Sequence, residues 1–284
     1  MTKAEKMRAL LAQPGVIMAP CAYDAISARI IEAAGFDCVA TSGYCVHGSL
    51  LAKPDVGLVS YSEMIDTLDH IANAVKIPTF CDGESGYGNA MNIMREVEDL
   101  EKRGVAAMFF DDEQFPPNCP WVKEQKVISV EEMVGKIRAA VAARRDPNFI
   151  ICARSDAPSF EEQVERCNIY MEAGADMVKI SHMTKEQVER APALVKGPLH
   201  IGCSTGRGGP GNFTAFELGE MGYKIVAFIQ AALFMNIKNT LDGMRRLREA
   251  GTQKAILDQA VSMDEYFELI NMTRYRALEE KYLK

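Results

Sequence analysis

The sequence lacks an excess of basic residues. Its 284 residues include 32 Lys plus Arg and 39 Asp plus Glu, which gives a formal net charge of −7 at pH 7. A protein that binds nucleic acid needs a basic face to displace counterions from phosphates, so this composition argues against that class. With 48% hydrophobic and 25% charged residues, the chain has an ordinary globular composition, which argues against collagen, coiled coil and disorder.

Long uncharged runs are also missing. The longest stretches without Asp, Glu, Lys or Arg have 15 residues, as in 9–23, whereas a membrane-spanning helix needs about 20 mainly apolar residues. No apolar h-region of the length that a signal peptide needs follows the charged residues 1–8, so no signal peptide is expected. None of the eight cysteines forms a Cys-x-x-Cys pair, which argues against a zinc ribbon or a redox motif. We expect a cytoplasmic protein with reduced thiols and no membrane partner.

Short apolar runs alternate with longer amphipathic stretches along most of the chain. The predicted strands are 16–19, 38–41, 78–81, 106–110, 149–153, 177–180, 199–201 and 225–228, and the predicted helices are 25–34, 61–75, 90–102, 130–145, 160–173, 185–194, 215–221 and 231–250. Such alternation is typical of βαβ units and a parallel sheet. Eight units favour a closed (β/α)8 TIM barrel over an open doubly wound sheet. We predict one α/β barrel domain over 1–284, with 251–284 as a C-terminal helical extension.

Acidic residues follow the third and fourth predicted strands. Asp82, Glu84 and Asp111 leave adjacent parallel strands, and Asp55 can join them from a loop. The carboxyl ends of barrel strands meet at one mouth, where active sites form. Acids that share a cavity repel one another unless they are protonated or bind a cation, and oxygen ligands suit Mg²⁺ or Mn²⁺. The alternative is that they are solvated acids at loop tips.

Two further residues stand out by their surroundings. Arg154 ends an apolar strand, where it either clamps a substrate carboxylate or forms an ion pair with Asp156 or Asp176. Cys119 lies in a polar loop, where a thiol acts as an acid or base if its pKa is tuned, and is otherwise inert. The glycine-rich stretch 204–212 either cradles an oxyanion or forms a mobile loop.

Six collinear segments resemble a known family: 20–28, 41–43, 54–57, 82–89, 129–133 and 153–157. Together they resemble the isocitrate lyase/phosphoenolpyruvate mutase superfamily, over roughly residues 5–250. The resemblance implies a Mg²⁺-dependent (β/α)8 enzyme that acts on small α-keto or α-hydroxy carboxylates. It also implies a homotetramer in which C-terminal helices are exchanged between subunits.

The resemblance implies a role for each acid of the mouth. Asp82 matches the family's acid that touches the metal directly, while Asp55, Glu84 and Asp111 match acids that hold metal-bound waters. This chain departs from the family pattern at two of these positions. Glu84 stands where the family usually has Asp, and Asp111 stands where it has Glu, so the outer ligand set is expected to be complete but reshaped.

The resemblance likewise implies a substrate site. Ser42 and Gly43, with Tyr44 beside them, match the loop that binds the substrate carboxylate, and Arg154 matches the substrate arginine. The lyase branch has a Lys-Lys/Arg-Cys-Gly-His catalytic loop, of which this chain keeps the thiol, Cys119, but neither the basic residues nor the histidine. The retained thiol favours carbon–carbon cleavage.

The positions after the sixth and seventh strands also differ from the lyases. The family's Phe-Pro-Glu is replaced at 179–181, and its Asn is replaced by Cys203. The second carboxylate of a substrate is therefore expected to meet different groups. Three basic residues are candidates for those contacts: Lys179, His182 and Arg207.

Three functions from different classes remain open on the sequence. The leading hypothesis is retro-aldol cleavage of a 2-hydroxy or 2-alkylmalate-like acid into a pyruvate-like α-keto acid and a second carboxylate. The second keeps the scaffold but changes the reaction to phosphoenolpyruvate or phosphonopyruvate chemistry, as mutase or hydrolase, or to decarboxylation or hydrolysis of an oxaloacetate-like acid. The third is a non-catalytic relative that binds a keto acid, which the cluster of acids argues against.

Overall fold

A computed structural model describes residues 1–117 and 126–283 of the chain. Within them, eight parallel strands close into a barrel in chain order, each paired with its sequence neighbours and β1 paired with β8. The strands are β1 (Ile17–Ala22), β2 (Val39–Thr41), β3 (Thr79–Asp82), β4 (Ala107–Asp111), β5 (Ile150–Ser155), β6 (Met177–Ile180), β7 (Leu199–Cys203) and β8 (Tyr223–Phe228). The predicted TIM barrel is confirmed.

Helices connect the strands. In the described ranges they are α1 (Lys3–Ala12), α2 (Ala25–Ala33), α3 (Gly43–Leu51), α4 (Tyr61–Ala74), α5 (Ala90–Lys102), α6 (Val130–Ala143), α7 (Phe160–Glu172), α8 (Lys185–Leu194), α9 (Ala215–Met221), α10 (Ala231–Ala250), α11 (Met263–Leu269) and α12 (Met272–Tyr282). Most begin at a Ser, Thr, Asp or Asn whose side chain accepts a backbone N–H of the first turn, as Ser60 does for α4.

Two helices were not predicted from the sequence. The first is α1, and the second is α3, whose residues lie partly in the segment that the sequence analysis treated as a substrate loop. In the structure Ser42 is the N-cap of α3 and Gly43 is its first helical residue. The segment 41–51 mixes apolar and small residues without the helical period, so the pattern gave no helix signal there.

Alternation along the strands separates two packed layers. One cluster of buried side chains fills the barrel interior and includes Phe80, Phe109, Cys152 and Met177. A larger cluster lies between the sheet and the surrounding helices. Because strand residues two apart point the same way, the residues two positions after these four also face inward, at the carboxyl end of the barrel. They are charged: Asp82, Asp111, Arg154 and Lys179.

The described chain divides into two compact units, Met1–Ala231 and Ala232–Lys284. The first contains the whole barrel, and the second contains nearly all of α10 together with α11 and α12. A single domain with an extension at 251–284 therefore stays a prediction. Among the described residues, no helix has both the length and the apolar character that crossing a bilayer requires.

Candidate active site

One cavity opens at the carboxyl ends of the strands and collects the predicted side chains. Its wall includes these predicted residues: Ser42, Tyr44, Asp55, Asp82, Glu84, Asp111 and Arg154. The same wall contains Glu113, Lys179, His182, His200 and Arg207. The acids that the sequence placed at one mouth therefore do meet there. Cys119 lies outside the described residues.

Asp82 is held in place by backbone groups from two sides. Its Oδ2 accepts the N–H of Gly43 at 2.8 Å, and its Oδ1 accepts the N–H of Glu84 at 3.0 Å. The Asp82 N–H donates to the Thr41 hydroxyl at 2.9 Å. Each carboxylate oxygen has two lone pairs, so both retain acceptor capacity toward the cavity after these bonds are made. The carboxylate is thus rigid and still able to bind a ligand.

Asp55 and Glu84 carry buried oxygens that lack partners. Among the described residues, Asp55 Oδ1 and Glu84 Oε1 have no hydrogen-bond donor. Both oxygens belong to a group in which one ligand atom each from His47, Asp55 and Glu84 lies within 4.8 Å of the others. A buried oxygen without a donor is costly, and a divalent cation would satisfy several of them at once. The chemistry of this donor set fits a divalent metal ion.

His47 in that group is already occupied by backbone partners. Its Nε2 accepts the N–H of Val59 at 3.2 Å, so its Nδ1 carries the proton and donates to the Gly43 carbonyl at 2.9 Å. With Nε2 accepting one bond and Nδ1 donating the other, the ring offers no lone pair to a metal. Its Nδ1 lies 3.5 Å from Asp55 Oδ1, so His47 supports the acid cluster without serving as a ligand. No sequence pattern indicated this role, since it depends on contacts with distant residues.

The pKa values of the acids report how crowded the cavity is. Burial, followed by the charges of Asp82, Asp55 and Asp111, raises the pKa of Glu84 well above its usual range. Burial also raises the pKa of Asp55, and the charge of Asp82 acts in the same direction. The same cause raises the pKa of Asp111 to about 7. Without a cation, the folded protein thus penalises the charged form of these acids.

The second group of acids contains its own cation. Ligand oxygens of Asp111, Glu113 and Asp156 also lie within 4.8 Å of one another. Arg154 lies among them: its Nη2 donates to Asp156 Oδ1 at 2.7 Å, and it reaches Glu113 Oε1 at 3.4 Å. Its Nη1 lies 3.8 Å from Asp111 Oδ2. A guanidinium already offsets this group, so the cluster of Asp55 and Glu84 is the better place for a metal ion.

The sequence left open whether Arg154 binds a substrate carboxylate or forms an ion pair with Asp156 or Asp176. The structure shows which of the two acids it pairs with. Arg154 pairs with Asp156, and its Nε donates to the Ser181 hydroxyl at 2.9 Å. Asp176 instead pairs with Arg8 and Arg144. Arg154 nevertheless lines the cavity. Its role toward a substrate carboxylate stays a prediction.

The segment predicted as a substrate loop, Ser42 to Tyr44, forms the start of α3, and its backbone contacts Asp82. The Gly43 N–H donates to Asp82, and a Cβ at Gly43 would collide with the Glu84 carboxylate. Glycine at this position therefore leaves the space that the Glu84 carboxylate occupies. Ser42 is buried and its side chain makes no capping bond to α3, while Tyr44 is half-buried in the cavity wall.

One residue of the cavity, Glu113, was not selected from the sequence although a signal existed, and the same signal places Lys179, a candidate for the second carboxylate, in the cavity wall. Glu113 lies two positions after Asp111, and Lys179 lies two positions after Met177, so the period of a strand places both pairs on one side. Glu113 lies beside Arg154, and burial raises the pKa of its carboxyl to about 10. Asp112 points the opposite way and is wholly buried behind the strand.

Comparison with known proteins agrees with this geometry. The family model described as phosphoenolpyruvate phosphomutase matches residues 7–248. The chain belongs to this family. Its membership confirms the resemblance to the isocitrate lyase/phosphoenolpyruvate mutase superfamily, whose members are also its structural neighbours.

Three similar proteins indicate the range of the family. A 2,3-dimethylmalate lyase of Eubacterium barkeri is 36% identical over 99% of each chain. A 2-methylisocitrate lyase of Aeropyrum pernix is 36% identical over 95% of this chain and 87% of its own length. A solved phosphonopyruvate hydrolase, in complex with oxalate and Mg²⁺, superposes with a TM-score of 0.90 at 30% identity, covering 100% of both chains.

Proposed function

We propose that the protein is a Mg²⁺-dependent lyase that cleaves the carbon–carbon bond of a 2-hydroxy or 2-alkylmalate-like acid. The observation that carries this proposal is a pair of carboxylate oxygens, on Asp55 and Glu84, that have no hydrogen-bond partner in the described part of the chain and lie in the same cavity as Arg154. The oxygens of Asp55 and Glu84 are suited to a cation, and the guanidinium of Arg154 is suited to a carboxylate. A site for a hydroxyacid needs both. The lyases among its relatives support carbon–carbon cleavage over other reactions of the family.

The metal is proposed to be held mainly by the acids on one side of the mouth. Asp82 would contact it directly, and Asp55, Glu84 and Asp111 would hold its water ligands. All four residues offer carboxylate oxygens. Such a set suits Mg²⁺, and Mn²⁺ is the other candidate. When bound, Mg²⁺ supplies positive charge that stabilises an oxyanion and orients the substrate.

The proposed reaction is a retro-aldol cleavage in which atoms and charges balance. A base of the cavity takes the proton of the C2 hydroxyl, the carbonyl of the α-keto acid forms, and the C2–C3 bond breaks. The electron pair of that bond leaves with C3 as an enolate-like carboxylate. This species takes a proton from an acid, for which we propose the thiol of Cys119. Ser42, Gly43, Tyr44 and Arg154 would position the C1 carboxylate.

Product analysis tests the proposed reaction. Incubation with 2,3-dimethylmalate and Mg²⁺ is expected to release pyruvate and propionate, detected by NMR, and chelation with EDTA is expected to stop it. Release of phosphate from phosphonopyruvate, or of CO₂ from oxaloacetate, with no cleavage of any 2-alkylmalate, would contradict the lyase proposal.

A Cys119→Ser variant tests the proposed acid. We expect turnover of the cleaved alkylmalate to fall by roughly 10²- to 10⁴-fold, the usual contribution of a general acid. Binding of Mg²⁺ and oxalate should stay at the wild-type level, because neither needs the thiol. Undiminished turnover would remove Cys119 from the mechanism.

A second candidate function is phosphonate or phosphoenolpyruvate chemistry on the same scaffold. Arg207 and Gly208, from the glycine-rich segment after β7, line the cavity and could receive a phosphoryl group. The description of the family model and the solved phosphonopyruvate hydrolase also favour it. The product analysis above separates it from the lyase function.

We further propose a homotetramer in the cytoplasm. Large apolar side chains of α10 are exposed in the single chain, among them Phe234, Met235, Ile237, Leu241 and Met244. Such a surface is typical of one that a second subunit covers. Size-exclusion chromatography with light scattering measures the assembly directly, and a monomer would contradict this proposal.

A further inference from the structure

A lysine lies on the wall opposite the proposed metal acids. Arg154, Lys179 and His200 are register partners on the neighbouring strands β5, β6 and β7. Lys179 faces the cavity and is only 8% exposed. In an eight-stranded barrel β6 lies across from β2, after which Asp55 follows. A small ligand held at the acids therefore directs its other end toward β6.

Lys179 is the cation that this cavity leaves without an ion pair. Across residues 1–117 and 126–283, no carboxylate oxygen lies within 4.0 Å of its ammonium group, and no acceptor receives a hydrogen bond from it. Its Nζ lies 4.6 Å from the centroid of the Phe109 ring. Arg154, on the adjacent strand, has three acids within the same limit. A ring face replaces only part of the hydration that a buried ammonium loses.

His200, the register partner of Lys179 on β7, does not offset the positive charge of Lys179. Neither ring nitrogen of His200 has a hydrogen-bond partner in the described part of the chain. Burial holds the pKa of His200 well below its usual range, with the charges of Lys179 and Arg154 acting in the same direction. The imidazole is therefore neutral, and the two side chains leave a polar, net positive patch at the inner wall of the cavity.

We infer that Lys179 binds the second carboxylate of the substrate and makes the enzyme specific for acids with two carboxylates. This inference rests on the proposed function, since it assumes that the metal acids hold the hydroxyl end. The ammonium gains an anionic partner that residues 1–117 and 126–283 do not supply, and the ligand gains a charge-assisted hydrogen bond inside the cavity. A substrate that ends in an alkyl group would leave the ammonium buried and unpaired.

A matched pair of ligands tests the inference by binding alone. 2-Methylmalate and 2-hydroxy-2-methylbutyrate share the hydroxyacid end, and the second has a methyl group where the first has its far carboxylate. Titration calorimetry in excess Mg²⁺, with every protein carrying Cys119→Ser to suppress cleavage of 2-methylmalate, is expected to show that the protein with Lys179 binds 2-methylmalate about 10- to 100-fold more tightly, the range for a hydrogen bond to a charged group. In Lys179→Met this ratio is expected to fall to near 1, while the affinity for 2-hydroxy-2-methylbutyrate changes little.

Lys136→Met is the control for replacing a buried lysine. Lys136 is 2% exposed and donates to the Ser85 carbonyl at 3.0 Å, but it does not line the cavity. Its variant should keep the ratio of the two affinities unchanged. Circular dichroism and oxalate binding in Mg²⁺ establish that Lys179→Met is folded and keeps the metal end of the site.

The outcomes separate this inference from the proposed reaction. An unchanged ratio in Lys179→Met, an equal loss of both ligands, or no preference in the protein with Lys179 would overturn the role of Lys179. The expected ratios with no cleavage of any alkylmalate would support the role of Lys179 and count against the lyase function alone.

Discussion

Asp112, behind the barrel wall, differs from Asp55 and Glu84, at the mouth, in how its oxygens are satisfied. Behind β4, Asp112 accepts hydrogen bonds from the hydroxyls of Ser155 and Tyr170 at 2.9 and 2.7 Å. It also accepts the Asp156 N–H and a guanidinium N–H of Arg166, at 2.8 and 3.2 Å. At the mouth, Asp55 and Glu84 each keep a buried oxygen with no donor among the described residues.

We infer from this difference that Asp112 stabilises the fold, whereas Asp55 and Glu84 are arranged to bind a ligand. The donors around Asp112 satisfy its oxygens within the protein alone, although burial raises the pKa of this carboxyl as well. The acids of the mouth repel one another, and burial disfavours their charged forms. Their arrangement costs stability unless a cation is bound, which is the usual relation between a functional site and the fold that holds it.

The largest expected effect is that of Asp112→Ala on stability. Removing this carboxylate leaves Arg166 without its buried partner, so the free energy of unfolding should fall by about 3–5 kcal/mol, as measured by urea denaturation. Asp55→Ala is the matched control, because Asp55 has fewer donors to lose. In the presence of EDTA it should lower stability far less. Equal losses in the two variants would erase the distinction between the groups.

Glu84→Gln should weaken metal binding without weakening the fold. The amide keeps the shape of the side chain but removes its charge, so Mg²⁺ affinity is expected to drop about 10- to 100-fold, the range for groups that support a metal from its outer shell. Unfolding in EDTA should need at least as much urea as the wild type needs, since one buried repulsive charge is gone. A variant with full Mg²⁺ affinity would contradict the assigned role.

The smallest expected effect is a change in how stability depends on pH. The pKa of Glu113 is raised from 4.5 to about 10 by burial, so the folded state keeps a proton that the unfolded state loses. The stability that this carboxyl contributes is full below pH 4.5 and is lost as the pH rises toward 10.

Urea unfolding in EDTA at pH 5 and pH 8 measures this contribution. Glu113→Gln cannot titrate, so the wild type should lose about 1 kcal/mol more than the variant between the two pH values, less than one pKa unit's worth of interaction. The contact with Arg154 limits the size of the difference. Identical slopes in the two proteins would show that Glu113 is charged in the folded state throughout this range.

Much of the site was accessible from the sequence because barrel geometry is regular. Asp82 and Asp111 end strands whose inward positions alternate, so their convergence followed from the strand assignment alone. Asp55 was expected to join them from a loop, and it lines the same cavity. The inward orientation of Glu113 and Lys179 was available from the same period but was not used. The helix at Gly43 was missed because its residues show no amphipathic pattern.

Ion pairs and hydrogen bonds between residues of separate elements could not be predicted from the sequence pattern. The pairing of Arg154 with Asp156 was one of several alternatives until the structure showed it. The tautomer of His47 depends on a hydrogen bond from Val59, 12 positions along the chain. No periodicity encodes either contact, since each depends on where separate loops and helices pack.

The sequence by itself determined the alternation of strands and helices and the closed barrel that eight such units form. It also determined the end of the barrel at which the charged side chains lie. These properties arise from local preferences and from the two-residue period of a strand, which neighbours in the chain suffice to set. Tertiary structure alone decided which buried acids are satisfied and which stay open. Asp82 receives its donor from Gly43, 39 positions away, and Asp112 receives one from Tyr170, 58 positions away. Hydrogen bonds of this kind exist only after the chain has closed, because their energy depends on distances and directions that folding creates.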